Sequence, residues 1–394
     1  MLNIEQLRAE TQGLAHVTHF NNAGAGLMPQ PVVDAMIEHL QLEAQIGGYE
    51  AVAKAQDKIS RTYDAVAELL NAHRDEIAIV ENATRAWTMA FYGIQFKDGE
   101  RILTSVAEYA SNYIAFLQVQ KQVNISIEVV PNDEHGQLDL VALEQMMDDK
   151  VRLIAISHVP SQGGLIQPAK EVGAIAKKYG ALYLLDACQS VGQMVIDVQE
   201  IGCHMLSATG RKYLRGARGI GFLYVARDVI PQLEPSVLDL HSATWLSADS
   251  YELAPTAKRF ENWEMNISAK IGLGVAVDYA LAIGLDNIEA RTQSLATTFR
   301  EMLNAIAGIT TRDMGQKQCG IVTFSIEGHD AREISQKLRE HHINTSVSPY
   351  TYAVLDFKER DLDYLVRASV HYYNTQAELE RFCDVLTQIL SENS

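Results

Sequence analysis

The sequence predicts an α/β fold with a doubly wound, mostly parallel sheet, followed by a smaller α+β unit. Through the first two thirds of the chain, apolar runs of strand length alternate with helical patterns. These runs are apolar throughout, which indicates strands that are buried on both faces by covering helices. After about residue 288 the pattern changes to long helices with few short strands, which is typical of a helix layer over a short sheet.

The elements of the larger unit follow from short runs of apolar and β-branched residues and from the helical patterns between them. Strands are predicted over residues 77–80, 101–105, 125–130, 153–158, 181–186, 205–208 and 220–225. Helices are predicted over residues 84–94, 111–122, 139–147 and 168–179. Such alternation favours parallel strands, because a parallel pair needs a long crossover connection.

The smaller unit is predicted from helices over 292–307, 331–341 and 377–390, with strands near 320–325 and 368–371. A long apolar pattern over 268–285 bridges the two units. We therefore expect a large domain over residues 20–288 and a small domain over 289–394, which the N-terminal residues 1–19 join. No proline- or serine-rich linker marks the boundary.

The composition is that of a globular protein that does not bind polyanions. Of 394 residues, 47% are hydrophobic and 21% are charged. The formal net charge of −17 argues against nucleic acid or an anionic membrane as a partner, because both require clustered Lys and Arg. No window approaches about 18 uninterrupted apolar residues, and the N-terminus lacks the pattern of a signal peptide, so we expect a cytoplasmic location. The cysteines lie far apart without a C-x-x-C pair, which predicts neither a metal site nor a disulfide framework.

An acidic residue ends the apolar strand predicted over residues 181–186. A carboxylate buried without a partner is costly, so a cation should face Asp186. Gln189 follows in the same turn and could point into the same crevice, at the strand end where open parallel sheets bind ligands. The alternative is that Asp186 simply caps the next helix, after a turn.

A glycine-rich loop with a central lysine lies between the last two strands of the larger unit. In SATGRKYLRGARGIG, glycines on both sides of Lys212 let the backbone approach a ligand closely. The alternative is a solvated lysine among the loop arginines. A dinucleotide-binding G-x-G-x-x-G is excluded, because the spacing differs and no helix follows.

Two further segments could bind anions. In ENATRAW, the backbone N–H groups of Ala83 and Thr84 and the Thr84 hydroxyl could form a phosphate cup at a helix start, although Asn82 could equally be a plain N-cap. Arg367, in YLVRASVHYYNT, begins an apolar strand. It is either a surface ion-pair partner or a bidentate clamp for a substrate carboxylate.

Together these groups fit pyridoxal 5′-phosphate (PLP). This cofactor needs a lysine for a Schiff base, an acid that keeps its ring nitrogen protonated, a phosphate cup and a flat group over the ring. The cation that faces Asp186 would then be the pyridinium of the cofactor.

Five segments of the sequence read as one set of motifs: LLDACQSVGQ, SATGRKYLRGARGIGFLYV, SHVPSQGG, RFENWE and RASVHYYNT. They resemble motifs of the class V aminotransferases of the type I PLP fold, the group that includes cysteine desulfurases, selenocysteine lyases and isopenicillin N epimerase-like proteins. The resemblance covers roughly residues 20–385. It implies the PLP-dependent transferase fold, with a large domain on a mostly parallel mixed sheet and a smaller C-terminal α+β domain. It also implies a homodimer with active sites at the subunit interface.

The resemblance implies a role for each residue that holds the cofactor. Lys212 would bind it covalently and later move the substrate proton, and Asp186 would pair with the ring nitrogen. Gln189 would contact the ring hydroxyl oxygen, and Tyr109, in AEYASNY, would stack on the ring. The residues that would hold the phosphate are Ala83, Thr84, Thr209 and Arg211.

The same comparison implies the substrate contacts. Arg367 would grip the α-carboxylate of an amino acid. Either Ser161 or Gln162 would lie in the pocket, and a one-residue ambiguity leaves both open. Asn22, in NNAGAG, would line the entrance.

The chain departs from the cysteine desulfurases in two places. Their mobile-loop cysteine, which takes the sulfur as a persulfide, has no counterpart in NTSVSPYTYAVLDFKERDLDYLVRAS. Glu264, in RFENWE, replaces a threonine that reaches the partner subunit's phosphate. A carboxylate beside a phosphate is repulsive unless it is paired, and we hypothesise that Arg211 or Arg218 compensates.

The reaction expected from these residues is β-elimination at a C–S bond of cysteine, cystine or an S-substituted cysteine. A sulfur leaving group needs no loop cysteine. The alternatives are transamination to a 2-oxo acid, epimerisation of an amino acid, and a non-catalytic relative of the same fold. The last is disfavoured, since a scaffold does not need Asp186, Gln189 and Lys212 together.

Overall fold

The computed structural model describes residues 2–392. Its strands, numbered along the chain, are β1 (Thr18–His19), β2 (Ile77–Val80), β3 (Arg101–Ser105), β4 (Ser126–Val130), β5 (Val151–Ser157), β6 (Leu182–Asp186), β7 (Met205–Thr209), β8 (Gly221–Val225), β9 (Ala243–Ser247), β10 (Ser250–Leu253), β11 (Ile309–Thr311), β12 (Ile321–Ile326), β13 (Ile343–Asn344), β14 (Ser346–Pro349) and β15 (Tyr364–Ser369). The seven strands predicted for the larger unit are all present, with ends that differ by no more than a few residues.

The helices are α1 (Ile4–Ala9), α2 (Gln30–Ile46), α3 (Gly48–Lys54), α4 (Gln56–Leu70), α5 (Ala83–Phe91), α6 (Ala110–Gln120), α7 (Leu140–Met146), α8 (Ala169–Tyr179), α9 (Val198–Ile201), α10 (Ile267–Ile283), α11 (Leu285–Asn304), α12 (Ala331–Glu340), α13 (Val354–Glu359) and α14 (Gln376–Ser391). No single helix within residues 2–392 is long and apolar enough to cross a membrane, although the pair α10 and α11, bent by 79° at their junction, meets that test by length and composition.

A seven-stranded mixed sheet forms the centre of the larger unit, in the order β2-β8-β7-β6-β5-β3-β4. The pairs from β7 through β6, β5 and β3 to β4 are parallel, whereas β8 runs antiparallel to both β7 and β2. Strands β2, β3, β5, β6 and β7 therefore point the same way, and their carboxyl ends meet at one edge of the sheet. The predicted α/β class with a mostly parallel sheet is confirmed.

Both faces of this sheet are buried, as the uninterrupted apolar strands predict. In β6, Tyr183 and Leu185 pack into one hydrophobic cluster, whereas Leu182 and Leu184 pack into the cluster on the opposite face. Asp186 ends the strand and is the one charged residue in it. The two clusters hold the strand in place and so fix the position of that carboxylate.

A second, four-stranded antiparallel sheet, in the order β11-β12-β15-β14, lies in the C-terminal part of the chain. Its core includes three aromatic rings, Phe20, Phe299 and Phe382, with centroids 4.9 to 5.3 Å apart. Phe20 comes from the N-terminal segment, where β1 also pairs with β13. The division of the chain at residues 20 and 288 stays a prediction.

Several elements differ from the prediction. The last strand runs from Tyr364 to Ser369 rather than over 368–371, so Arg367 lies inside it, paired with Thr323 and Ser346, and not at its start. His371 and the two tyrosines after it are also buried, but they lie beyond the end of the strand. The hairpin of β9 and β10 and the helices α2 to α4 were not predicted.

Candidate active site

The carboxyl ends of the parallel strands open into a cavity of about 600 Å³. Ten of the predicted site residues line it: Ala83, Thr84, Tyr109, Ser161, Asp186, Gln189, Thr209, Arg211, Lys212 and Arg367. Each of the strands β2, β3, β5, β6 and β7 is followed by a segment that contributes at least one of them, as expected for a ligand site in an open α/β sheet. The second sheet supplies Arg367 from β15.

Asp186 is buried and is held from behind by two hydrogen bonds. Its Oδ1 accepts from the backbone N–H of Cys188 at 2.9 Å, and its Oδ2 accepts from Asn112 Nδ2 at 3.0 Å. The bond to Cys188 closes a turn and does not cap a helix, because the next helix begins only at Val198, so the alternative of a helix cap is wrong. Within residues 2–392 no Lys or Arg lies within ion-pair distance of it, so the cavity side of the carboxylate is available to a cationic ligand.

Gln189 lies in the turn after Asp186. Its Nε2 donates to the carbonyl of Ala23 at 3.2 Å, and its Oε1 has no hydrogen-bond partner. The residue is 3% exposed. A buried amide oxygen without a partner costs free energy, so a ligand that donates to it would be stabilised here.

The predicted anion cup lies at the N-terminus of α5. Asn82 caps the helix by accepting from the N–H of Arg85. The first N–H groups of a helix have no partner within it, so those of Ala83 and Thr84 are free for a ligand in the cavity. Capping by Asn82 and anion binding are therefore compatible here, because they use different N–H groups.

Arg211 and Lys212 follow β7 and are partly exposed to the cavity. The loop packs closely on the N-terminal segment: the N–H of Gly26 donates to the carbonyl of Arg211 at 2.8 Å, and a Cβ on Gly26 would lie 2.6 Å from the carbonyl oxygen of Lys212. Burial lowers the pKa of the Lys212 amine, and the positive charges of Arg211 and Arg367 lower it further. The fraction of neutral amine, which can act as nucleophile or base, is raised accordingly.

Two tyrosines and a cysteine form further walls of the cavity. The rings of Tyr109 and Tyr352 meet edge to face with centroids 6.4 Å apart. Tyr352 and Cys188 line the cavity although neither was predicted. Burial raises the pKa of the Cys188 thiol, with a further contribution from the negative charge of Asp186, so this sulfur is held in the protonated form.

Arg367 points from the second sheet into the same cavity. Its Nε donates to the hydroxyl of Ser346 at 3.0 Å, and its Nη1 donates to the backbone carbonyl of Ser161 at 2.8 Å. No carboxylate of the described chain pairs with it, which excludes the surface ion pair. The guanidinium is thus oriented by neutral groups and keeps donors for an anionic ligand.

Two predicted contacts need correction. Asn22 does not line the cavity, because it is completely buried: its Nδ2 donates to the carbonyl of Ser369 at 2.7 Å, and its Oδ1 accepts from the Tyr373 hydroxyl. Its neighbours Ala23 and Gly24 are the cavity residues of that segment. Gln162 is also turned away, with its Nε2 at 3.4 Å from Asp356 Oδ2, so Ser161 is the residue of that pair at the cavity.

Glu108 and Asn112, just behind the cavity, were missed. Asn112 contacts Asp186, and Glu108 contacts Asn112. The two residues lie four apart in AEYASNY, a spacing that places them on one side of a helix start, and this was the available signal.

Comparisons with known proteins agree with this geometry. The family described as Aminotransferase class-V matches residues 18–382. A protein of Methanothermobacter thermautotrophicus named "Probable cysteine desulfurase" is 31% identical over 394 residues, which cover 98% of each chain. The structure of apo cysteine desulfurase from Thermococcus onnurineus NA1 superposes with a TM-score of 0.93 at 28% identity, over 100% of this chain and 99% of that one. A cystine C–S lyase, solved with its product cysteine persulfide, has a TM-score of 0.86 at 23% identity, over 96% and 99% of the two chains, and shares the fold.

The lowered pKa of Lys212 predicts its chemical reactivity. In cofactor-free protein, competitive acetylation against pH should give Lys212 an apparent pKa below that of Lys178, whose pKa is raised by its contact with Glu144. Only the neutral amine reacts, so the extent of acetylation of the two lysines should differ most in the pH range just below the ordinary lysine pKa of about 10.4. Peptide mass spectrometry measures both lysines in one sample, and a Lys212 curve at or above that of Lys178 would contradict the environment described.

Proposed function

The chain belongs to the class V aminotransferase family, and from this premise we propose that it is a PLP-dependent lyase that cleaves the C–S bond of cysteine, cystine or an S-substituted cysteine. In the proposed β-elimination, the Cα–H and Cβ–S bonds break, and water then releases pyruvate and ammonia beside a sulfur product. The observation that carries the proposal is the joint presence of Asp186, Lys212 and Arg367 around one cavity, where burial raises the pKa of Cys188, the one cysteine among the described lining residues.

The residues present fit PLP. The side of Asp186 that faces the cavity suits a protonated ring nitrogen. The Oε1 of Gln189 has no hydrogen-bond partner, and it suits the ring hydroxyl group, which can donate to it. The N-terminus of α5 with Thr209 and Arg211 suits the phosphate. Tyr109 is the flat side chain available to stack on the ring.

When bound, PLP supplies a conjugated, electron-withdrawing ring that stabilises negative charge at the substrate Cα. The protein residues supply position and proton transfer. Arg367 binds the α-carboxylate through the donors that Ser346 and Ser161 leave free. Neutral Lys212 Nζ takes the proton from Cα and can return it to a leaving group, and the lowered pKa of this amine is suited to that exchange.

β-Elimination is favoured over desulfuration by the positions and the protonation of the cysteine thiols. A desulfurase needs a thiolate that attacks the substrate sulfur. Of the cysteines, all of which lie in the described part, only Cys188 is at the cavity, and its thiol is held protonated. Desulfuration remains the second candidate because the relative 31% identical over nearly the whole chain carries that name. Transamination and epimerisation start from the same proton removal and are separated from both by their products.

The homodimer expected from the resemblance remains part of this proposal. A second cavity, of about 870 Å³, is lined by exposed Leu40, Tyr49 and Trp263, and an apolar surface of this kind suits contact with another copy. Glu264 lines this second cavity and not the cavity that holds Lys212. It makes no ion pair within residues 2–392. That Arg211 or Arg218 compensates its charge stays a prediction.

A product analysis tests the function. Purified PLP-loaded protein is incubated with cysteine, cystine, S-alkyl cysteines and cysteine sulfoxides, and pyruvate, alanine, ammonia and sulfide or thiol are measured. Pyruvate and ammonia in equal amounts are expected, whereas Lys212→Ala should form neither above background. Alanine as the main product would assign a desulfurase, and amino transfer that requires an added 2-oxo acid would assign an aminotransferase. No turnover of any compound, in protein that holds PLP, would refute C–S cleavage on these substrates.

Arg211 provides a prediction on cofactor binding. Replacing it with alanine removes a charged donor from the proposed phosphate site and should weaken PLP affinity by about tenfold to a hundredfold. Arg227→Ala is the control, since Arg227 is exposed and does not line the cavity. Affinity is measured by titrating cofactor-free protein with PLP, and equal values for the two variants would contradict the assignment.

Arg367 provides a prediction on substrate binding. Arg367→Lys keeps the charge but loses the two-pronged geometry, so KM for the amino acid should rise by about tenfold while PLP affinity stays unchanged. Amides of the same amino acids lack the carboxylate, so their KM should be similar in the native protein and in Arg367→Lys. A variant with native KM would show that Arg367 does not bind the carboxylate.

A further inference from the structure

A buried carboxylate that the proposed reaction does not use lies directly behind the cavity. Glu108 follows β3 and is 4% exposed. Its Oε1 accepts from the backbone N–H of Tyr109 at 2.8 Å, from Asn112 Nδ2 at 2.8 Å and from the Ser157 hydroxyl at 2.7 Å. Its Oε2 accepts from the Thr104 hydroxyl at 3.0 Å. These four hydrogen-bond donors hold the Glu108 carboxylate in a single orientation.

Asn112 connects this carboxylate to Asp186. Its Nδ2 donates to Glu108 Oε1 at 2.8 Å and to Asp186 Oδ2 at 3.0 Å. An amide nitrogen carries two hydrogens, so each carboxylate receives one of them. Since Asp186 Oδ1 is held by the N–H of Cys188, Asn112 is the side chain that fixes the other oxygen.

The same network joins three neighbouring strands at their carboxyl ends. Thr104 belongs to β3, Ser157 ends β5, and Asp186 ends β6, where it is paired in register with Ser157. Glu108 contacts the first two directly and the third through Asn112. The carboxylate of Glu108 therefore holds together the part of the sheet edge from which Asp186 faces the cavity.

We propose that Glu108 is a positioning residue for the cofactor site: it orients Asn112, which in turn holds Asp186 in place to pair with the ring nitrogen. The inference rests on the proposed function, because Asp186 has this partner only if PLP is the cofactor. Without Glu108, the Asn112 amide loses one of its two acceptors and can turn away from Asp186.

The charge of Glu108 also acts on the site. Burial raises its pKa to about 7, and the negative charge of Asp186 contributes in the same direction. The other titratable or charged groups facing the pair are the Tyr109 phenol, the Cys188 thiol, and Lys212 and Arg211 from the loop after β7. As pH rises through about 7, Glu108 loses its proton and adds a negative charge beside Asp186, which favours protonated forms of the bound cofactor.

The test compares Glu108→Ala and Glu108→Gln with Glu76→Ala. Glu76 is a matched control, because it is a buried glutamate that accepts from the backbone N–H groups of His73 and Arg227, away from the cavity. Two readouts are taken on each protein besides turnover: the affinity of cofactor-free protein for PLP, and the midpoint of the pH titration of the bound cofactor's absorbance.

Glu108→Ala should weaken PLP affinity by about tenfold, because a buried amide loses its partner. Glu108→Gln should bind within about twofold of the native protein, since its amide oxygen can still accept from Tyr109, Asn112 and Ser157. Both variants should move the absorbance midpoint to lower pH, because a negative charge is lost. Glu76→Ala should change neither readout.

The outcomes separate this inference from the function on which it rests. Native protein that binds no PLP would overturn both. Native binding of PLP, with an unchanged affinity and midpoint in Glu108→Ala, would overturn the positioning role alone, as would a Glu108→Gln variant that loses as much affinity as the alanine variant. If Glu108→Ala does not fold, Asn112→Ala removes the bridge without removing the carboxylate, and native affinity in that variant would overturn the role equally.

Discussion

The buried carboxylate of Asp186 is the interaction on which the site depends. It ends a strand packed by apolar residues on both faces, and its two protein partners leave one side open to the cavity. A carboxylate in such surroundings is costly without a cation, and the chain supplies none at ion-pair distance within residues 2–392. A ligand with a protonated ring nitrogen resolves that cost, and the ligand in turn acquires a counter-ion that keeps it protonated. The proposed pairing of Asp186 with the cofactor ring would thus serve both the stability of the site and its chemistry.

The rest of the cavity is arranged around anions. Lys212, Arg211 and Arg367 face it against one carboxylate at its wall, although the chain as a whole carries a net charge of −17. A concentration of positive charge in an acidic protein marks a specific anionic ligand, because general attraction to polyanions would require a basic surface. The proposed cofactor phosphate and substrate carboxylate are two such anions, and the groups proposed to bind them, the N-terminus of α5 and Arg367 on β15, lie in separate parts of the fold.

The sequence predicted most of the large sheet because its strands are apolar throughout, and it predicted the residues that follow strand ends because ligand sites in parallel sheets lie there. It failed where the deciding contact comes from distant parts of the chain. Asn22 reads as an entrance residue, yet its amide is occupied by Ser369 and Tyr373, more than three hundred residues away. Tyr352 lies in a turn between short elements, where no periodicity indicates which side chain faces the cavity. Glu108 and Asn112 are neighbours in the sequence, but the contacts of Glu108 with Ser157 and of Asn112 with Asp186 join residues that only folding brings together.

The outcome of the reaction depends on what the chain places beside the substrate sulfur after the proton has left Cα. In the proposed mechanism, proton transfer by Lys212 is common to elimination, transamination and epimerisation, so this residue would not select among them. Sulfur transfer to the protein would require a thiolate, and the cavity offers Cys188, whose burial beside Asp186 keeps the proton on its sulfur. Where desulfurases present a mobile cysteine, the segment here presents Tyr352 against Tyr109. In the proposed elimination the sulfur leaves with the electrons of the Cβ–S bond, so the leaving ability of the sulfur group would be the property that selects the substrate.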